Sequence, residues 1–253
     1  MIDFIIIGTQ RGGTHSFYEY LIQHPQVVPS LQPTVAYFDK HFSMGNEWYI
    51  EQFPLLSKYK DGERPKGHIT GEASPYYMYH PLVPERVKRF CPMAKFIVLL
   101  RNPTDRAYSH FRMSVAGGHE NLAFEFALKM EPKRLERGRF LMRDNPYHDP
   151  PNHRYHSYIS HGMYARQLKH WMQYFRKDQF FVFRSEDYYA NPVEYAMRAY
   201  KFLGLPDFTP DLMDPPYVNP YEMLTVETRK RIDKIFEKSN EDLCRLLGWS
   251  EAW

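Results

Sequence analysis

Two textures of apolar positions alternate along the chain. Unbroken apolar runs occupy Phe4 to Ile7, Lys95 to Leu100 and Gln179 to Arg184. Runs of that length predict strands buried on both faces. Other stretches repeat their apolar residues every three or four positions, which predicts amphipathic helices. Thr14 opens one with Phe17, Leu21, Tyr18 and Ile22 on its apolar face, ended by His24-Pro25. Further helices are predicted over Pro84 to Phe90, Thr104 to Met113, about Phe124 to Met130, Gly162 to Tyr174, Pro192 to Leu203 and Glu227 to Leu247. Gly204 and Gly248 stand where a helix C-cap needs a left-handed residue. A shorter helix over 46–59 is broken near Pro54.

Between these, Val27 to Pro29 reads as a short strand and Ile69 to Pro75 as a strand end running into a loop. Thr34 to Phe38 is a mixed apolar segment. Residues 60–67, 143–162 and 209–221 are polar or proline-rich and read as loops. The second of these is long enough to act as a lid or binding loop. Strand, loop and helix recur at least three times, so the expected class is α/β, with a mostly parallel central sheet and helices on both faces.

Composition narrows the picture. The 253 residues read as a single domain, with an insertion at about 114–160. Twenty tyrosines and 18 phenylalanines exceed what a core alone needs and fit an aromatic-lined pocket. The net charge of +3 suits a local anion site rather than a nucleic-acid footprint. Two cysteines, Cys91 and Cys244, make neither a disulfide framework nor a metal motif, which points to a reducing, cytoplasmic setting. The apolar start is too short for a signal peptide, and no stretch reaches membrane-spanning length. His148, His153, His156 and His161 have no helical ligand spacing and no cysteine partners, so no metal is expected.

Two stretches carry candidate chemistry. In Gly8-Thr9-Gln10-Arg11-Gly12-Gly13, closely spaced glycines allow a tight loop whose N–H groups cradle an anion. The helix opened by Thr14, His15 and Ser16 adds its positive end at the same mouth. The spacing G-x4-G matches a triphosphate loop, but Thr14 stands where that loop continues with its Lys, and the only cation is Arg11 inside the loop. In the other stretch, Arg101 leaves the end of an apolar strand and Ser109 follows on the next helix. Both can reach the carboxyl edge of the sheet, where open α/β folds bind ligands. The plainer readings are a structural turn and a strand-end ion pair. Two separated anion sites imply a ligand with two phosphate-like groups.

GTQRGGTHSFYEYLIQHP and LLRNPTDRAYSHF together resemble the two signature elements of sulfotransferases that use 3′-phosphoadenosine 5′-phosphosulfate (PAPS). GEASPYY, SHGMYARQLKHW and FFVFRSEDYYANP also fall where that family has its pattern, so the resemblance covers most of the chain. It is similar to the heparan-sulfate and bacterial natural-product branch. The resemblance implies a P-loop-like, three-layer α/β fold. It implies that Gln10, Arg11, Gly12, Gly13, Thr14, His15 and Ser16 hold the 5′-phosphosulfate. Arg101 and Ser109 would take the 3′-phosphate, and Gly162 and Tyr164 would lie near the nucleotide. PAPS would be donor and 3′-phosphoadenosine 5′-phosphate (PAP) the product, with no metal. Arg11 would stabilise charge on the bridging phosphate oxygen.

One departure stands out. Relatives read K-E-x-H-F-F-D after the first helix, and their Glu is the base. Here the place reads Pro33-Thr34-Val35-Ala36-Tyr37-Phe38-Asp39. His15, Glu72 or Asp39 could replace that base. A nitrogen acceptor could need none, or the protein could bind nucleotide without turning it over. A P-loop kinase is the competing enzyme class. Thr34, Tyr37, Asp39, Tyr76 and Tyr77 are the candidate acceptor-binding residues. The aromatic segments 76–79 and 147–158, and the absence of a long basic stripe, favour a small or medium organic acceptor, such as a natural product, over a polyanion.

Overall fold

The three apolar runs form strands, and two further strands join them in a fully parallel sheet. The computed structural model describes residues 2–58, 65–145, 147, 150–214 and 224–253. The strands are β1 (Phe4–Gly8), β2 (Val27–Pro29), β3 (Ile69–Ala73), β4 (Lys95–Leu100) and β5 (Phe180–Arg184). Their order is β2-β3-β1-β4-β5. Phe4 lies opposite both Gly71 and Lys95, and Phe96 opposite Phe180. From β1 the chain builds first to one side and then to the other, so the direction of winding switches at β1. Loops after the strands at such a point form the ligand-binding edge of α/β folds.

Helices are α1 (Thr14–Leu21), α2 (Gly45–Glu51), α3 (Pro54–Ser57), α4 (Val83–Phe90), α5 (Pro103–Ala116) and α6 (Phe124–Asp144). They continue with α7 (Pro151–Tyr155), α8 (Tyr164–Trp171), α9 (Ser185–Ala190), α10 (Pro192–Leu203) and α11 (Val226–Leu247). The chain divides into two compact units. One comprises Met1–Leu100 and Met172–Tyr217, the other Arg101–Trp171 and Val218–Trp253.

The first unit holds the sheet. Alternate residues Phe4 and Ile6 of β1, and Ile97 and Leu99 of β4, meet Phe17 and Leu21 of α1 and Ala196, Ala199 and Tyr200 of α10. Each such fully buried large side chain contributes about 1.5–3 kcal/mol. The opposite face meets α2 and α4: Tyr49 bonds Glu72 of β3 and packs 5.3 Å from the Phe90 ring. In the second unit, Ala107 and Phe111 of α5, Phe124 and Ala127 of α6, and Ile232 and Phe236 of α11 form a separate core with Tyr158. Asn102 caps α5 by accepting from the N–H groups of Thr104 and Asp105, and Pro103 fills the first turn.

The longest departure from the sequence reading is α6. It runs through Pro132 to Asp144 rather than ending near Met130. Its inward row is Phe124, Ala127, Glu131, Leu135 and Met142. A buried glutamate in that row hides the period. Glu131 is tolerated because its carboxylate accepts from the N–H groups of Ile159 and Ser160, at 2.8 and 2.7 Å. The segment read as loop over 143–162 also contains α7, and SEDYYA after β5 forms α9. The helix predicted from Gly162 spans only Tyr164–Trp171. His148 and most of the loops at 60–67 and 209–221 lie outside the described residues.

Candidate active site

The glycine loop follows β1 directly and is fastened to the neighbouring strands. Thr9 N–H donates to the Leu99 carbonyl at 2.8 Å, and the Ser185 hydroxyl donates to the Gly12 carbonyl at 2.7 Å. Gly12 sits so close to β4 that a Cβ would lie 2.9 Å from the Leu99 oxygen. Gly13 caps α1 with φ of 88°, and the Tyr189 hydroxyl lies 2.4 Å from where its Cβ would be. Both positions therefore require glycine. Arg11 also has positive φ, 72°, rare for a side-chain-bearing residue and concentrated at ligand sites. No side chain caps α1, so its first-turn N–H groups face the loop mouth without that competition. Ser16 donates to the Gly13 carbonyl and is met by Tyr188 at 3.2 Å. Thr14 is buried and Gln10 half-buried, whereas Arg11 is exposed.

His15, at the start of α1, has a 72 % exposed side chain and stands 3.9 Å from Glu19. Glu72 is its opposite, fully buried on β3. Its Oε1 accepts from Tyr49 at 2.6 Å and Tyr77 at 3.1 Å, and its Oε2 accepts from Ser74 at 2.5 Å and Val35 N–H at 3.2 Å. Burial raises its pKa from 4.5 to about 7, against these hydrogen bonds, which lower it. Of the five candidate acceptor-binding residues, Thr34 is exposed and donates to the Ala73 carbonyl at 2.8 Å. Tyr37, Asp39, Tyr76 and Tyr77 are buried. Tyr37 stacks on Tyr49 at 4.5 Å and donates to Asn46, so its phenol is spent on packing.

The second unit carries the other candidates. Arg101 follows β4 and is half-buried, and Ser109 is buried on α5. Tyr164 is buried and donates to the Arg101 carbonyl at 2.8 Å, so it fixes the backbone from which that arginine springs. Gly162 packs under Phe236 and Pro103, where a Cβ would stand 2.7 Å from the Phe236 ring. His156 bonds Asn152 and the His119 carbonyl through its two ring nitrogens. Among the described residues no group of three or more His, Cys, Asp or Glu is gathered as a metal site.

The sulfotransferase domain family matches residues 1–215. The chain belongs to that family. It is 28% identical over 207 residues to human heparan sulfate glucosamine 3-O-sulfotransferase 5, covering 80% of this chain and 53% of that protein. It is 24% identical to the membrane-associated sulfotransferase kil1 of Dictyostelium discoideum, over 99% of this chain and 66% of that protein. The chain thus spans between about half and two thirds of the length of these curated relatives. A solved sulfotransferase from Alicyclobacillus acidocaldarius superimposes with a TM-score of 0.76 at 25% identity, covering 100% of this chain and 97% of that one. The resemblance to PAPS-dependent sulfotransferases and the P-loop-like α/β fold are both borne out.

A sulfotransferase loop must bind phosphate and sulfonate oxygens. Thr9 Oγ1 is buried with no hydrogen-bond partner among the described residues, and its proton suits such an oxygen; Gln10 Oε1 is equally open but only accepts, so it adds nothing to that fit. Buried polar atoms left open in a native loop call for a ligand. The residues present therefore fit the donor. Sequence reading started the site at Gln10 and missed Thr9, Ser185 and Tyr189. FFVFRSEDYYANP matched the family pattern, but only the tertiary structure turns its serine onto Gly12.

Proposed function

We propose that the protein transfers a sulfonyl group from PAPS to a small or medium organic acceptor. The observation that carries this is the glycine loop, which combines backbone pinned to β4, an uncapped helix start and an orphaned Thr9 hydroxyl. In this reading the loop from Gln10 to Ser16 holds the 5′-phosphosulfate, and Arg101 and Ser109 bind the 3′-phosphate. Tyr164 supports the nucleotide through the Arg101 backbone, and Gly162 lies near it, packed against Pro103. The acceptor oxygen attacks sulfur, the bond from sulfur to the bridging phosphate oxygen breaks, PAP leaves, and a base takes the acceptor proton. Loop N–H groups and Arg11 stabilise the charge that grows on the bridging oxygen.

His15 is the preferred base because it is exposed at the helix mouth, whereas Glu72 already has four protein donors on its two oxygens. The 114–160 segment would act as the acceptor-side lid, and Thr34 would face the acceptor. A natural-product acceptor, a cytoplasmic setting and metal-independent transfer belong to the same reading. Thr34 and Ala36 at the family's Glu and His positions favour one alternative, a PAP-binding protein without turnover.

The test is incubation with PAPS and EDTA against a panel of aryl alcohols, amino alcohols and oligosaccharides, read by mass spectrometry. A sulfonate mass gain supports the assignment. Transfer from ATP instead, requiring Mg²⁺, would make the protein a kinase. PAP binding with no product across the panel would favour the non-catalytic alternative.

A further inference from the structure

Residues 33–39 form an irregular segment between β2 and α2, and their burial alternates. Thr34 is exposed and Ala36 half-buried, while Val35, Tyr37, Phe38 and Asp39 are buried. The two outward positions are the ones at which this chain departs from the family pattern. Ala36 has φ of 53°, a conformation that costs an alanine roughly 1–2 kcal/mol relative to the right-handed region. Among the described residues, Arg11 and Ala36 are the non-glycine residues with positive φ, one in the donor loop and one here.

Something must hold this backbone, and the donors and acceptors identify it. Val35 N–H donates directly to Glu72 Oε2. Ala36 N–H donates to Ser74 Oγ at 2.9 Å, and Ser74 donates onward to Glu72. Phe38 N–H donates to the Tyr77 hydroxyl at 3.1 Å, and Tyr77 donates onward to Glu72. An ionised carboxylate only accepts, so both hydroxyls must point their protons at it. Their lone pairs are then free for the N–H groups of residues 36 and 38. The carbonyl side is held too: Lys40 and His41 N–H reach the Ala36 oxygen at 3.1 Å, and Arg86 donates to the Phe38 oxygen at 2.5 Å.

We propose that Glu72 is a positioning residue which, through Ser74 and Tyr77, fixes the backbone of residues 35–38 and so presents Thr34 and Ala36 as interchangeable acceptor-selecting side chains. The acceptor-facing role rests on the sulfotransferase reading; the anchoring does not. Because residues 35–38 are gripped by their main chain, the shape there does not depend on the outward side chains, although the Thr34 hydroxyl adds a bond of its own to the Ala73 carbonyl. That accounts for a chain that keeps the family fold while replacing both family side chains.

The titratable and charged groups around Glu72 are Asp39 of the segment, Tyr18 of α1, Tyr49 of α2, Tyr77, Arg86 of α4 and Cys91 just after it. Burial pushes Tyr18, Tyr49, Tyr77 and Cys91 upward, so none of these four ionises near neutral pH.

Hydrogen exchange resolved to single amides tests the proposal without an acceptor. In Glu72→Gln the amides of Val35, Ala36 and Phe38 should lose protection by about tenfold or more, the loss expected for roughly one or more broken hydrogen bonds. Amides of β1 should be unaffected and PAP affinity should stay within about twofold, a change too small for a lost hydrogen bond. Should Glu72→Gln fail to fold, Ser74→Ala should release Ala36 alone and Tyr77→Phe should release Phe38 alone. In the wild type, corrected protection at 36 and 38 should fall from about pH 8 to about pH 6 as the carboxyl takes up its proton, and Glu72→Gln should be flat. Unchanged protection in Glu72→Gln, or in both single-hydroxyl variants, overturns the proposal. Failure of the wild type to bind PAP would instead remove the sulfotransferase reading and leave the anchoring result standing.

Discussion

The Tyr164 hydroxyl donates to the main-chain oxygen of Arg101 at 2.8 Å. A residue expected beside the nucleotide thus acts on the backbone of a residue expected to bind it. Tyr164→Phe should weaken PAP binding by about 1 kcal/mol, one neutral hydrogen bond. Arg101→Ala, which removes the charge itself, should cost about 1–3 kcal/mol. Titration calorimetry with PAP checks both. An unchanged affinity in Arg101→Ala would remove the 3′-phosphate assignment.

Ser185 serves the glycine loop in the same indirect way, through the Gly12 carbonyl. Ser185→Ala leaves that carbonyl without the serine's proton in a buried place, at a cost of about 1–3 kcal/mol. The expected outcome is a lower melting temperature together with weaker PAP binding. A lower melting temperature with normal PAP affinity would mean that the loop does not depend on this contact.

His15 should matter for turnover more than for binding. Loss of a general base typically costs roughly 10²–10⁴-fold in rate. His15→Ala should reduce kcat on that scale with PAP affinity little changed. Should His15→Ala keep normal turnover while Glu72→Gln abolishes it without disturbing the 35–38 amides, the base is Glu72.

Stability should depend on pH through Glu72. Its pKa rises from 4.5 to about 7 on folding, chiefly through burial. Between those values the folded protein keeps a proton that the unfolded chain releases, so the favourable contribution is complete below 4.5 and is lost as pH rises through about 7. Denaturant unfolding of wild type and Glu72→Gln, compared from about pH 4 to about pH 8, should show the wild type losing ~3 kcal/mol relative to the variant. A pH-independent difference would mean that Glu72 is not strongly perturbed.

The sequence by itself determined the sheet strands and the donor loop. Phe4 to Ile7 and Lys95 to Leu100 could be read because these deeply buried strands are continuously apolar, and Gln179 to Arg184 carries the same texture on a half-buried edge strand, whereas β3 is buried but holds Thr70, Gly71 and Glu72 and shows no such run. Gly12 and Gly13 could be read because close approach and positive φ leave a requirement for glycine in the sequence. The family resemblance followed from the same motifs. The tertiary structure alone decided what the polar residues do. Glu72 and Glu131 have the same side chain, yet each is buried, and each is tied to main-chain N–H groups from another part of the chain. A buried acid interrupts an apolar period without saying who its partner is, which is why the pattern marks only the first turns of α6. Tyr37, Tyr77, Tyr164 and Ser185 are equally ambiguous in sequence, since a hydroxyl serves a ligand, a side-chain oxygen or a backbone carbonyl with the same chemistry. Which of these it does depends on the groups that distant segments bring within about 3 Å, a distance that no local pattern records.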